Sequence, residues 1–127
     1  MNITLWVLQI LLATVFLAHG WLFLFPPLIL LELMNASIAP AFRIFIGVAE
    51  VLAAAGLILP GITRILPWLI PCAAAGVMMV MIAATILHIR RGEFTSTLAT
   101  VVLLVLATFV AHMRWKVMPI LRDPEPK

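Results

Sequence analysis

Glu50 stands in the middle of an otherwise apolar run, residues 42–59, long enough to cross a lipid bilayer. An ionisable side chain at that depth is costly unless it faces a partner, a wet cavity or packed protein, so the fold has to supply a receiver. The carboxyl group is either structural, bonded to a carbonyl or a histidine inside the bundle, or it handles protons or orients a ligand. Three more candidates stand in the same half of their runs: His19 about five residues before the end of the first, Arg43 at the start of the second and His88 at the end of the third. The spacing i, i+4, i+7, i+11 sets Arg43, Gly47, Glu50 and Ala54 on one helical stripe, whose small members let a neighbouring helix come close. Met81, Thr85 and His88 share a face by the same rule. The two stripes are expected to wall a pocket that receives Glu50.

Helical rise separates Arg43 from Glu50 by about 10 Å, too far for an unaided ion pair. Arg43 therefore either tunes the pocket from its edge or snorkels to the phosphate headgroups. His19 and His88 are either ligand-binding or simply interfacial. A haem held between them is geometrically open, since they lie at matching depth, but no further residue supports it and haem is set aside. His112, beside Arg114, Trp115 and Lys116, reads as an anchor at the opposite headgroups, with Trp6 and Trp68 in the same belt and Trp21 in the other.

Four apolar runs of spanning length have to position these groups: about 3–24, 41–59, 66–89 and 97–114. They make the chain one domain over residues 1–127, an all-α transmembrane four-helix antiparallel bundle. Pro60, Gly61 and Arg64 mark a tight break between the second and third helices, with Pro67 opening the third. The turn 90–93 separates the third from the fourth, with Thr95 or Ser96 as N-cap. The first connection differs. Pro26 and Pro27 stop the first helix, and residues 28–34 are too short to span and too apolar for a solvated loop, which predicts an interfacial or re-entrant segment between helices 1 and 2. It either closes a pocket or rests at the headgroup boundary.

Composition agrees with a membrane protein. Of 127 residues 65% are hydrophobic and 10% charged, with a mean hydropathy of +1.25, more apolar surface than a soluble domain of this size can hide. The net charge of +3 is spread singly over helix ends, a pattern for anionic headgroups and not for nucleic acid. Cys72 has no second cysteine, which excludes an intrachain disulfide or a CxxC pair, and it reads as a small buried core residue that is dispensable. No residues with metal-site spacing occur. Residues 1–5 carry no Lys or Arg and Ala18-His19-Gly20 is a poor cleavage site, so the first run is kept as a mature helix. Asn35-Ala36-Ser37 matches a glycosylation sequon and is given no weight. Arg64, Arg114, Lys116, Arg122 and Lys127 on the side of the termini outnumber Arg43, Arg90 and Arg91 on the other, predicting that both termini are cytoplasmic. The polar tail 119–127 ends in a Pro-containing segment, 123–127, that reads as disordered.

Arg43-x3-Gly47-x2-Glu50, followed by Gly56-Leu57-Ile58-Leu59-Pro60, resembles the DoxX-like family of small four-helix membrane proteins, and so does Thr85-Ile86-Leu87-His88 before the Arg91-Gly92-Glu93 turn. The likeness runs over roughly residues 10–114. One departure is that the basic residue members often carry soon after a Gly near the end of helix one is missing here, where Trp21-Leu22-Phe23-Leu24 follows Gly20. The resemblance implies links to thiol, thiosulfate or quinone redox chemistry in some relatives and to cargo reception or receptor assembly in more distant ones. Three functions are carried forward: an accessory subunit of a membrane redox system binding a quinone or similar amphipathic molecule near Glu50 and His88, with Arg43 and His19 beside them; an assembly factor recognising another membrane helix through the Gly47/Ala54 face; and a small lipid or solute permease acting as a homo-oligomer.

Overall fold

The computed structural model describes residues 2–121. It is all-α, with four long apolar helices packed antiparallel: α1 (Asn2–Leu24), α3 (Pro40–Thr63), α4 (Leu69–Arg91) and α5 (Phe94–His112), the last extended by a π-helical turn, Met113–Val117. Each of these four spans is long and apolar enough to cross a membrane, so the chain is a multi-pass membrane protein. The short helix α2 (Leu28–Ser37) joins α1 to α3. Residues 123–127, expected to be disordered, lie outside the described residues, as do Arg122 and Lys127 of the charge count.

Side-chain periodicity explains which faces meet. On α3 the buried residues are Arg43, Gly47, Glu50, Ala54, Leu57, Pro60 and Gly61, the expected stripe prolonged to the end of the helix. On α1 they are Leu5, Gln9, Leu12, Ala13, Phe16 and Gly20. These two stripes face each other, so the Gly47/Ala54 surface considered for recognising a foreign helix is covered by α1. α4 packs mainly on α5 and, less extensively, on α3, while α1 and α5 meet only lightly. Leu12, Phe16, Ala54, Leu57, Ala74, Val77, Met81, Ala107 and Val110 form the shared core.

Two glycines set the closest approach. A Cβ on Gly20 would lie 2.9 Å from the Gly47 carbonyl and 3.1 Å from the Glu50 Cβ; one on Gly47 would lie 3.0 Å from the Gly20 carbonyl. Backbone meets backbone, with no room for a methyl group. At the other end of the bundle, a Cβ on Gly61 would run into the Trp6 ring at 2.6 Å. Trp6 therefore packs inward on Gly61 and does not simply line the headgroup belt.

Three local expectations change. Pro60 does not end the second long helix, which continues to Thr63 and stops at Arg64 in the left-handed conformation, φ 54°. Gln9 Nε2 donates to the Leu57 carbonyl at 2.6 Å, next along the helix from the Gly56 carbonyl that Pro60 deprives of its N–H donor, so α1 is bonded to α3 at the proline turn. Pro67 lies before α4, whose N-cap is Trp68. α5 begins at Phe94, so Thr95 and Ser96 are inside its first turn and Glu93 is the N-cap, without a side-chain cap bond. Gly92, at φ +71°, is the left-handed residue that ends α4.

The connector α2 buries none of its residues and leaves Leu28 and Ile29 exposed. Arg91 Nη2 donates to the Ser37 carbonyl at 3.2 Å, pinning its C-terminal end beside the α4–α5 turn. An apolar helix with so little cover suits the membrane interface.

The glycine crossing is testable with a built-in control. Gly20→Val and Gly47→Val are each expected to lose about 1–3 kcal/mol of stability, the usual cost of overpacking. A Cβ on Gly76 would meet nothing within 4 Å, so this position should accept Ala with equal or slightly higher stability because Ala is the better helix former. Thermal unfolding in detergent measures all three, and a Gly76→Ala loss matching the two valine variants would refute the crossing as the tight point.

Candidate functional site

At the Gly20–Gly47 crossing the residue before Gly20 is carried alongside α3, which puts His19 within reach of Glu50. His19 Nδ1 and Glu50 Oε2 are 2.7 Å apart. One proton lies between them, whichever group carries it. The Glu50 side chain is only 3% exposed, whereas His19 is 49% exposed, so the carboxyl group is inside the bundle and its partner reaches the lipid-facing side. His19 also stacks on Phe23, one turn on, with ring centroids 4.4 Å apart.

Arg43, 6% exposed, neither reaches the headgroups nor turns to Glu50. Its Nη1 donates to the Phe23 carbonyl, one of the carbonyls left without an intrahelical partner at the end of α1. A guanidinium there both completes a hydrogen bond and opposes the partial negative charge of the helix end. Arg43 thus fixes the terminal turn of α1 on which His19 and Phe23 ride.

His88 sits apart from this group. Its Nδ1 bonds Glu93 Oε2 across the α4–α5 turn, and Gly92 and Glu93 N–H groups donate to the Ile89 and His88 carbonyls in the same turn. Below it Thr85 Oγ1 lies 2.7 Å from the Met81 carbonyl and 2.9 Å from Thr100 Oγ1 on α5, so its single proton serves one of these bonds, and if it goes to Met81 the Thr100 hydroxyl donates back to Thr85. The Met81–Thr85–His88 face is therefore engaged with α5 and its turn. Of the four sequence candidates, His19, Glu50 and Arg43 come together on the α1–α3 pair, and His88 belongs to a second polar pair on α4 and α5.

Glu50 also lines a cavity of about 430 Å³ between α3 and α4, floored by Phe16 of α1. Its other walls are Ala49, Ala53 and Gly56 on α3, with Leu69, Cys72, Ala73 and Val80 on α4, so Glu50 is the one ionisable side chain besides the Cys72 thiol in an apolar groove. From Val80 to Leu69 the groove follows α4 for roughly 16 Å of helical rise. A Cβ on Gly56 would meet that of Ala73 at 2.8 Å, so small residues narrow its floor. Cys72 is exposed on this groove, not buried in the core as its apolar surroundings had indicated.

A family model for the DoxX-like family matches residues 7–110. The chain belongs to the DoxX-like family. No curated protein and no solved structure matches it. The matched span of this DoxX-like protein includes α1 from its second turn, all of α3 and α4, and most of α5, and so contains His19, Arg43, Glu50 and His88.

A polar group of comparable burial escaped sequence reasoning. Gln9, fully buried, donates to Leu57 and accepts from Arg114 Nε at 2.7 Å. Arg114 is itself only 3% exposed, turned inward where a basic residue at a helix end had suggested a headgroup anchor. The available signal was the place of Gln9 on the α1 stripe 5, 9, 12, 16, 20, where a polar side chain must face protein.

If the His19–Glu50 contact is the energetic link between these two helices, a double-mutant cycle with His19→Phe and Glu50→Gln should give a coupling of about 0.5–3 kcal/mol. Unfolding in mixed micelles measures it, and additive single losses would show that each side chain acts alone. Arg43→Met should cost about 1–3 kcal/mol by leaving the Phe23 carbonyl without its charged donor, and part of that loss should be shared with Glu50→Gln in a second cycle, because the turn of α1 that Arg43 holds also carries His19.

Proposed function

We propose that this DoxX-like protein is an accessory subunit of a membrane redox system that binds a quinone or similar amphipathic small molecule, its headgroup at Glu50 and His19 and its apolar tail in the α3–α4 groove. The observation that carries this reading is a single buried carboxyl group, hydrogen-bonded by a histidine, at one end of an otherwise apolar groove. Glu50 is the member of that pair that lines the groove, so a carbonyl or hydroxyl headgroup would meet its carboxyl group, and the proton held between His19 and Glu50 would pass to or from the headgroup as electrons from the partner reduce or oxidise it, the proton and electron charges offsetting on the headgroup. Arg43 holds the α1 end that presents His19. His88 and Glu93 are a second hydrogen-bonded pair at the same end of the bundle. Electrons come from a partner protein or bound cofactor, since the chain has one cysteine and no pair.

Native mass spectrometry of protein extracted in mild detergent tests this directly. A retained lipid-soluble quinone is expected for the wild type and for Cys72→Ala. Glu50→Gln and Glu50→Leu should both fold and both lose it, because neither keeps the titratable proton. Two stable variants that still carry the quinone would end the redox reading. A co-purifying membrane protein in place of a small molecule would favour the assembly-factor reading, and a defined homo-oligomer the permease. Occupancy should also shield the exposed Cys72 thiol from a lipid-soluble maleimide.

We further propose that both termini are cytoplasmic, on the strength of the Lys/Arg asymmetry. Reporter fusions after residue 127 and within residues 90–93 should give opposite signals, the first cytoplasmic; the reverse pattern would place the Glu50 end of the bundle on the cytoplasmic side.

A further inference from the structure

The second polar centre lies at the opposite end of the bundle from Glu50 and is built around a positive charge. Arg114 Nε donates to Gln9 Oε1 at 2.7 Å, Nη1 donates to Asn2 Oδ1 at 2.9 Å and to the Met118 carbonyl at 3.2 Å, and the guanidinium lies 5.6 Å from the centre of the Trp6 ring. All of these acceptors are neutral. The Nη2 atom is buried and has no hydrogen-bond partner among the described residues. A guanidinium in this state is held in place by dipoles and a π face while its charge and part of its donor set remain unanswered.

Arg114 forms part of the wall of a cavity of about 590 Å³, shared with Arg64, Asn2, Trp6, Gly61 and Met118. Among the described residues that line it there is no acidic side chain. Arg64 is the left-handed residue that ends α3, so the cavity lies where a span gives way to the headgroup layer. The π-helical turn Met113–Val117, closed by a Met118 N–H to Met113 carbonyl bond of 2.7 Å, contains Arg114 and forms the adjoining wall. Widened turns of this kind recur at functional sites.

We propose that this cavity binds a phosphate-type anion, with Arg114 and Arg64 as its guanidinium ligands. Gln9, Asn2 and Met118 occupy Nε and Nη1 and orient the Arg114 guanidinium beforehand, leaving Nη2 and the uncompensated charge for phosphate oxygens, which lowers the ordering cost of the pairing. The apolar wall of Trp6 and Gly61 and the position at the membrane boundary suit the phosphate of an anionic phospholipid, whose acyl chains would run down the outside of the spans. Free phosphate carries the same chemistry, and the chain's own Asp123 and Glu125, a few residues beyond Leu121, are the competing anions.

The test uses the full chain, delipidated in a neutral detergent and titrated separately with phosphatidylglycerol, phosphatidylcholine and inorganic phosphate, read by thermal stability and native mass spectrometry. Retention of one phosphatidylglycerol and a rise in melting temperature are expected for the wild type, with a smaller rise for phosphatidylcholine. Saturable stabilisation by inorganic phosphate alone would assign the site to the free anion and equally support the chemistry. Arg64→Gln should weaken the interaction about tenfold, the loss of one charge-assisted contact, and Arg114→Gln should abolish it. Because Arg114→Gln also removes bonds to Gln9 and Asn2 and risks misfolding, Arg64→Gln is the deciding variant. Equal stabilisation of Arg64→Gln and wild type by every anion would overturn the proposal. So would a wild type that binds none of them while the Asp123→Asn, Glu125→Gln double variant binds them all, since the cavity would then belong to the chain's own carboxylates.

Discussion

Hydrocarbon offers no hydrogen bonds, and the arrangement of the four spans follows from where their polar side chains find partners. α1 is the helix on which these partnerships converge. Near one end His19 meets Glu50 of α3, and Arg43 of α3 answers the Phe23 carbonyl. Near the other end Gln9 donates to the α3 backbone and accepts from the guanidinium at the end of the last span. Threonines elsewhere return their hydroxyls to carbonyls one turn back, as Thr14 does to Ile10 and Thr108 to Leu104, which costs the lipid-facing surface nothing in exposed donors. Apolar packing fills the space between these bonds, but it is equally satisfied by lipid and cannot by itself choose the neighbours of each helix.

Backbone proximity makes the polar contact at Glu50 reachable. A histidine has a short side chain, and its ring spans the interface because Gly20 and Gly47 allow the two backbones to touch. The same closeness leaves α4 to form the other side of the groove, so that Glu50 faces α1 through its carboxyl group and the α3–α4 cavity along its flank. The groove owes its apolar character to Ala49, Ala53, Gly56 and Ala73, small side chains that make space without offering a competing polar group. A carboxyl group among apolar walls has a larger electrostatic effect on whatever enters than the same group would have in water.

The spans and the α3 stripe were legible because hydrophobic length and a repeat near 3.6 residues are properties of the chain itself. Glu50, Gly47 and Arg43 could be placed on one face on that basis alone. Which helix faces that stripe was not legible. His19 and His88 lie at similar depth, and depth leaves the rotation and adjacency of their helices open; the Gly20–Gly47 fit decides for His19, and the turn residue Glu93 takes His88. Pro60 read as a stop because it cannot donate to the carbonyl one turn back, yet α3, packed between neighbouring spans, runs past it to Thr63. Arg114 read as a headgroup anchor for a similar reason: a basic residue at the end of a span snorkels by default, and its inward turn depends on acceptors at Asn2 and Gln9 over a hundred positions earlier.

That separation bears on how the protein is made. Gln9 precedes Arg114 by 105 residues, so α1 enters the bilayer with an amide whose oxygen has no guanidinium donor until α5 has followed it. The helical hairpin of α4 and α5 needs only a short turn and can pair as soon as both spans have left the insertion machinery. The clasp between α1 and the turn that follows α5 instead has to wait for all four spans, and it joins two helices that otherwise touch only lightly. Its closure marks an assembled four-helix bundle, and a nascent chain cut short before α5 would leave in the membrane an unmet polar side chain by which quality-control proteases can distinguish it from that bundle.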